Sequence, residues 1–121
     1  MRRAANAYES ISKQTATPRE LEAGLLLKAA SQLQMIRDDW ERKREGLEQA
    51  LLYNRKLWSV FLSSATSPDN PLPRGIRENV ANLGLFVMNQ TVSLTADRRP
   101  EGLNPLININ RELAAGLLSR A

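Results

Sequence analysis

The side chains best placed for acid–base work are two close carboxylate pairs, Asp38/Asp39 and Glu20/Glu22. Paired carboxylates divide general-acid and general-base roles when their surroundings pull their pKa values apart. Nothing around these pairs provides that. Glu20 stands three residues after Thr17, and Asp38 heads a charged segment, so helix capping accounts for both. The chain has no Cys and no His. The first absence removes thiolate nucleophiles, disulfides and Cys-ligated zinc or iron–sulfur clusters. The second removes the commonest general base, the commonest metal ligand and the Ser-His-Asp arrangement. The six glycines are dispersed and form no phosphate-cradling loop. These types and spacings predict a binding protein, not an enzyme, with no cofactor and no metal.

Charge narrows the partner class. Lys and Arg total 17 against 13 acidic residues, a net charge of +4. The densest basic cluster, Arg42-Lys43-Arg44, lies in a window from Arg37 to Glu45 with four basic and four acidic residues, which nets to zero. Asp38/Arg42 and Asp39/Lys43 stand at i,i+4 with the acid first, the favourable helical order. A nucleic-acid interface needs an uninterrupted basic face, and this pattern predicts solvated, ion-paired helix faces instead. Met1-Arg2-Arg3 is basic, but no apolar signal-peptide core follows. The longest apolar stretch, residues 83–88, is far too short for a membrane span. A cytoplasmic location without membrane insertion is expected.

The elements that must position any site read as helices. Thr17-Pro18-Arg19-Glu20 combines an N-cap threonine, proline at the first helical position and glutamate three residues after the cap. The helix it opens carries a stripe at Leu21, Leu25, Ala29, Leu33 and Ile36 and fades near Arg37. Asp38 or Asp39 caps the next helix, whose stripe is Leu47, Leu51, Asn54, Trp58, Phe61 and Ala65, with Gly46 as its weak point. Three prolines in residues 66–73 break the chain. A further helix follows with Ile76, Val80, Leu83, Val87 and Leu94 inward and Leu85 and Phe86 partly off that stripe. Asn104-Pro105 repeats the cap-plus-proline signal and opens a last helix through Leu106, Ile109, Asn110, Leu113 and Leu117. Residues 5–15 form a short first helix with Tyr8 and Ile11 on one face. The expectation is an all-α, single-domain bundle of four to five helices over residues 1–121, because helices striped on one face must bury those stripes against each other.

Several residues admit two readings. Asn54 and Asn110 fall inside apolar stripes, as polar contacts to a partner's backbone or as a buried pair that fixes helix register. Trp58 is mid-stripe and reads as core. Trp40 is a surface staple or an exposed anchor. Gly24 and Gly84, inside helices, permit close packing or open a groove. The six aromatics are unevenly spread, with Tyr53, Trp58 and Phe61 within nine residues.

Four blocks in order resemble one family. Asn6-Ala7-Tyr8 followed by Thr15-Ala16-Thr17-Pro18-Arg19-Glu20-Leu21-Glu22 resembles the start of FlaF, the flagellar biosynthesis regulator of alphaproteobacteria. Ala50-Leu51-Leu52-Tyr53-Asn54-Arg55-Lys56-Leu57-Trp58 is similar to its central motif, A-L-x-Y-N-R-x-L-W. Asn70-Pro71-Leu72-Pro73 with Arg77 resembles the linker into its next helix, and Leu106-Ile107-Asn108-Ile109-Asn110-Arg111 with Gly116-Leu117 its C-terminal pattern. The charged insert at residues 42–45 departs from the pattern. The opening block, to about residue 27, also looks like the flagellin export chaperone FliS.

The resemblance implies a small cytoplasmic protein needed for flagellin production and filament assembly, associated with flagellin and with the regulator FlbT. The resulting expectation is a flagellin-binding export chaperone or adaptor that holds an amphipathic flagellin segment in a groove. Tyr8, Ile11, Leu57, Leu85 and Phe86 are the expected apolar contacts, and Asn54 and Arg55 the polar ones. The alternative is a post-transcriptional regulator of flagellin expression acting with FlbT or on flagellin messenger RNA. The neutralised Arg42 cluster speaks against direct RNA binding.

Overall fold

A computed structural model describes residues 17–119 of the chain. The expected first helix, with Tyr8 and Ile11, lies outside the described residues. The described residues form four long helices: α1 (Pro18–Asp38), α2 (Leu47–Ala65), α3 (Arg74–Ala96) and α4 (Asn104–Leu118). A one-turn helix (Trp40–Lys43) and a 3-10 turn (Arg44–Gly46) join α1 to α2, and a second 3-10 turn (Pro100–Leu103) leads into α4. The expected all-α bundle is therefore the observed architecture.

The start of α1 follows the cap chemistry of its sequence. The Thr17 hydroxyl accepts a hydrogen bond from the Glu20 amide at 3.1 Å, and Pro18 occupies the first turn. The expected stripe holds only in its second half. Leu21 and Leu25 are 40% and 43% exposed, while Ala23, Leu26, Ala30, Leu33 and Ile36 are buried. Steps of four residues overshoot a 3.6-residue turn by about 40° each, so three of them rotate the face by about 120°. The true inward line, Ala23, Leu26, Ala30, Leu33, alternates steps of three and four.

Three further expectations change. The helix expected to start at an Asp38 or Asp39 cap is interrupted at its weak point, by the 3-10 turn ending in Gly46. Because helical geometry restarts only at Trp40, the i,i+4 pairs of Asp38 and Asp39 do not form. Asp39 instead pairs with Arg42 at 3.0 Å, and Asp38 with Arg37 at 3.0 Å. Asn104 is the first residue of α4, not its cap, and its Oδ1 accepts a 2.9 Å hydrogen bond from Arg37.

The stripe of α2 is buried as expected, from Leu47 through Ala65. Trp58 lies at its centre, fully buried and edge-on to Phe61 at 5.9 Å between ring centroids. The helices form a chain of antiparallel neighbours. α1 packs most extensively on α4, α2 on α3, and α1 on α2. Gly84 sets the α2–α3 approach: a methyl group there would overlap the Leu62 isobutyl group, with Cγ at 2.7 Å. α3 and α4 scarcely meet. Their shared end is tied by the second 3-10 turn, where Gln90 Nε2 donates to the Gly102 carbonyl at 2.9 Å. Among the described residues, the opposite end is left open.

Candidate functional site: a cleft between α3 and α4

The open end of the bundle is a cleft of about 440 Å³. Ile76, Asn79 and Leu83 line its α3 wall, and Glu112, Leu113, Gly116 and Leu117 its α4 wall. Leu72 and Arg19 close it near the start of α1. Ile76, Asn79 and Leu83 are spaced three and four apart and share one side of α3. They span about 10 Å of helix axis at 1.5 Å per residue, or two turns. Phe86, three residues beyond Leu83 and 46% exposed, continues that line toward the closed end.

The cleft is lined by polar and apolar groups in near-equal measure: Leu72, Ile76, Leu83, Leu113 and Leu117 are its apolar part, Asn79 and Ser119 its neutral polar part, and Arg19 and Glu112 carry opposite charges. At Gly116 an added methyl group would meet no atom within 4 Å, so the groove is open to something approaching α4 closely. Below the cleft, Glu22 lines a small void with Phe61, Leu72 and Leu117. Burial pushes the Glu22 carboxyl above the ordinary glutamate range, and Arg19 partly offsets this. α3 also carries no charged residue over residues 79–96, although a quarter of the chain is charged.

The expected contact residues do not converge on this cleft. Phe86 continues its α3 wall. Leu85 is 63% exposed on the outward side of α3. Arg55 borders a separate crevice between α2 and α3 with Thr91, Thr95 and Arg98. Leu57 is half-buried against the core. Tyr8 and Ile11 lie outside the described residues.

Asn54 requires a correction. It is 0% exposed and belongs to the interior, so it cannot present its amide to a partner from this arrangement. Its Oδ1 accepts a 2.7 Å hydrogen bond from Asn110 Nδ2, and Asn110 Oδ1 accepts a 2.9 Å bond from Trp58 Nε1. Asn110 Nδ2 also reaches the Leu26 carbonyl at 3.4 Å. One amide thus ties α1, α2 and α4 together in a single register. Asn54 Nδ2 has no hydrogen-bond partner among the described residues.

A chain with two buried asparagines from separate helices, bonded to each other and to a central tryptophan, has a distinctive core. The family model for the flagellar protein FlaF matches residues 4–117, nearly the whole chain.

The chain belongs to the FlaF family.

The match takes in the Tyr53–Trp58 block, the linker prolines and Asn110, so the residues of the buried network lie within the family's span. Comparison with curated proteins and with solved structures finds no match. Membership makes this a flagellar protein. Among the described residues, no helix is long and apolar enough to cross a membrane. Sequence reasoning did not single out the cleft as a surface, because it placed Ile76, Leu83, Leu113 and Leu117 in the core.

Proposed function

We propose that this FlaF-family protein is a flagellin-binding export chaperone or adaptor. In this reading it receives an amphipathic segment of flagellin as an added helix in the α3/α4 cleft. The observation that carries the reading is a side of the bundle left unfilled by the described residues: α1 packs on two neighbours, while α3 and α4 leave a gap two turns long with leucine or isoleucine side chains on both walls. An incoming helix with anchors at i, i+3 or i+4 and i+7 matches the spacing of Ile76, Asn79 and Leu83. Capture would keep that segment from polymerising and present flagellin for export. The amide network supports the same reading, since a rigid α1–α2–α4 frame holds one cleft wall without help from the occupant.

The second reading, regulation of flagellin expression, has less support from charge. Arg42 is paired with Asp39, Arg98 with Glu48 at 3.8 Å and Arg99 with Asp97 at 3.6 Å. Those pairs offset the arginine charge at that end of the bundle, which weakens the case for direct messenger-RNA binding there. Regulation through FlbT would use a protein surface. Size-exclusion chromatography of the full chain with purified flagellin tests the main reading. A stable complex at micromolar concentration supports it, and separate elution at those concentrations overturns it.

A further inference from the structure

A second concave surface lies between α1 and α2. It is a groove of about 580 Å³ lined by Gln32, Met35 and Ile36 on one side and Gln49, Ala50 and Tyr53 on the other. It shares no lining residue with the α3/α4 cleft. Its floor is core, because Ile36 and Ala50 are buried, while Met35 is exposed at its rim. Helical spacing extends both walls. On α1, Leu25, Lys28, Gln32 and Met35 step by three, four and three. On α2, Tyr53, Leu57 and Val60 step by four and three, with Val60 well exposed. The result is a valley between two antiparallel helices with apolar side chains along both flanks.

Its charge has one sign. The chain has four lysines, and three of them are tied to this groove: one lines it, one packs over its Tyr53 ring, and one lies a helical turn from Tyr53. Lys43 lines it. Lys28 Nζ lies 5.8 Å from the centroid of the Tyr53 ring, in cation–π range. Lys56 follows Tyr53 by three residues on the same helix. Among the described residues, no carboxylate lines the groove and none of these lysines forms an ion pair. The arginines at the α1–α2 junction and the end of α3 are arranged differently: Arg37, Arg42, Arg98 and Arg99 each face a carboxylate.

We propose that the α1/α2 groove is a second docking site, for an amphipathic helix of a protein partner that carries acidic residues beside its apolar stripe. The valley supplies the apolar seat, and the three lysines supply the complementary charge and the orientation. A concave seat between two ridges fits a helix, whereas a bilayer surface would favour a flat or convex face. Because the groove and the cleft share no lining residue, one molecule can hold two partners at once. The inference does not depend on what occupies the cleft.

The test uses the full chain with 13C-methyl-labelled methionine, whose Met35 reports on the groove and whose Met88 lies on α3. The probes are two synthetic helical peptides with the same leucine stripe, one flanked by glutamate and one by lysine. The glutamate peptide is expected to shift the Met35 methyl signal to saturation and leave Met88 in place, with affinity that falls as salt rises. The lysine peptide is expected to bind about tenfold more weakly, and Lys28→Glu with Lys43→Glu to reverse that preference. Gly116→Leu, which alters the other cleft, is expected to change none of this. Four results would overturn the proposal. They are an unmoved Met35 with both peptides, equal binding of the two, a larger response to anionic lipid vesicles, or a Met35 shift caused by self-association without peptide.

Discussion

Replacing Gly116 with leucine separates binding from folding in a way that few substitutions here can. Gly116 is exposed near the end of α4, and an added methyl group there would meet nothing within 4 Å. The first carbon of the new side chain therefore meets no neighbour, and the rest of it extends into open cleft or solvent. The substitution removes a helical glycine, and leucine is favoured over glycine by about 0.5 to 1 kcal/mol in a helix. For a domain of this length that raises Tm by roughly 2 to 5 °C. The new isobutyl group occupies the cleft opposite Ile76 and Leu83, where an incoming helix would have to seat its anchors. Flagellin affinity is expected to fall by at least about tenfold, a loss of about 1.4 kcal/mol or more. Thermal unfolding followed by circular dichroism gives the first quantity and isothermal titration with purified flagellin the second. Higher stability with lost binding is the expected outcome. A more stable variant that binds flagellin as the natural chain does would refute the assignment of the cleft, and a destabilised variant would refute the claim that it is open at Gly116.

Three further substitutions probe the frame. Asn110→Ala strips the partner from both Trp58 Nε1 and Asn54 Oδ1 and leaves a small void; a loss of about 3 to 5 kcal/mol in urea unfolding is expected, and a loss under about 1 kcal/mol would show that the network is dispensable. Gly84→Ala gains helix propensity but drives a methyl group into Leu62, and should cost about 1 to 2 kcal/mol net, opposite in sign to alanine at the open Gly24. Glu22→Gln removes a carboxylate whose pKa is raised by burial. The ionised form is the destabilising one, so the variant should melt higher than the natural chain at neutral pH, and the gap should close as pH falls through the raised pKa toward the ordinary glutamate range.

The sequence carried most of the fold because its punctuation is local. The Thr17 cap, the prolines of residues 66–73 and the three-four spacing of Leu47 through Ala65 each act within one or two turns, and each reappears as an element boundary or a buried face. Failures came where two local rules competed. Four-residue steps look helical, yet they drift, so Leu21 and Leu25 read as core and proved half-exposed. Asn104 carried a cap signal and instead accepts a hydrogen bond from Arg37, a side chain 67 positions away. The cleft was illegible for a related reason. Ile76 and Leu83 have the residue types and spacing of core positions, and only the weak packing between α3 and α4 leaves them partly uncovered. That packing depends on where α1 and α2 hold their neighbours, which no single helix encodes. Asn54 shows the reverse: its place in a stripe allowed two roles, and its bond to Asn110 decides for the interior.

The central claim is that flagellin seats in the α3/α4 cleft, and site-specific photo-cross-linking tests it most directly. A benzophenone side chain placed at Asn79, on the cleft wall, is compared with one at Ser59, exposed on α2. Irradiation with purified flagellin, followed by mass spectrometry of the cross-linked peptides, should join position 79 to one amphipathic segment of flagellin and leave position 59 unjoined. Cross-linking from position 59 alone, or from neither in a mixture that co-elutes, would contradict the account.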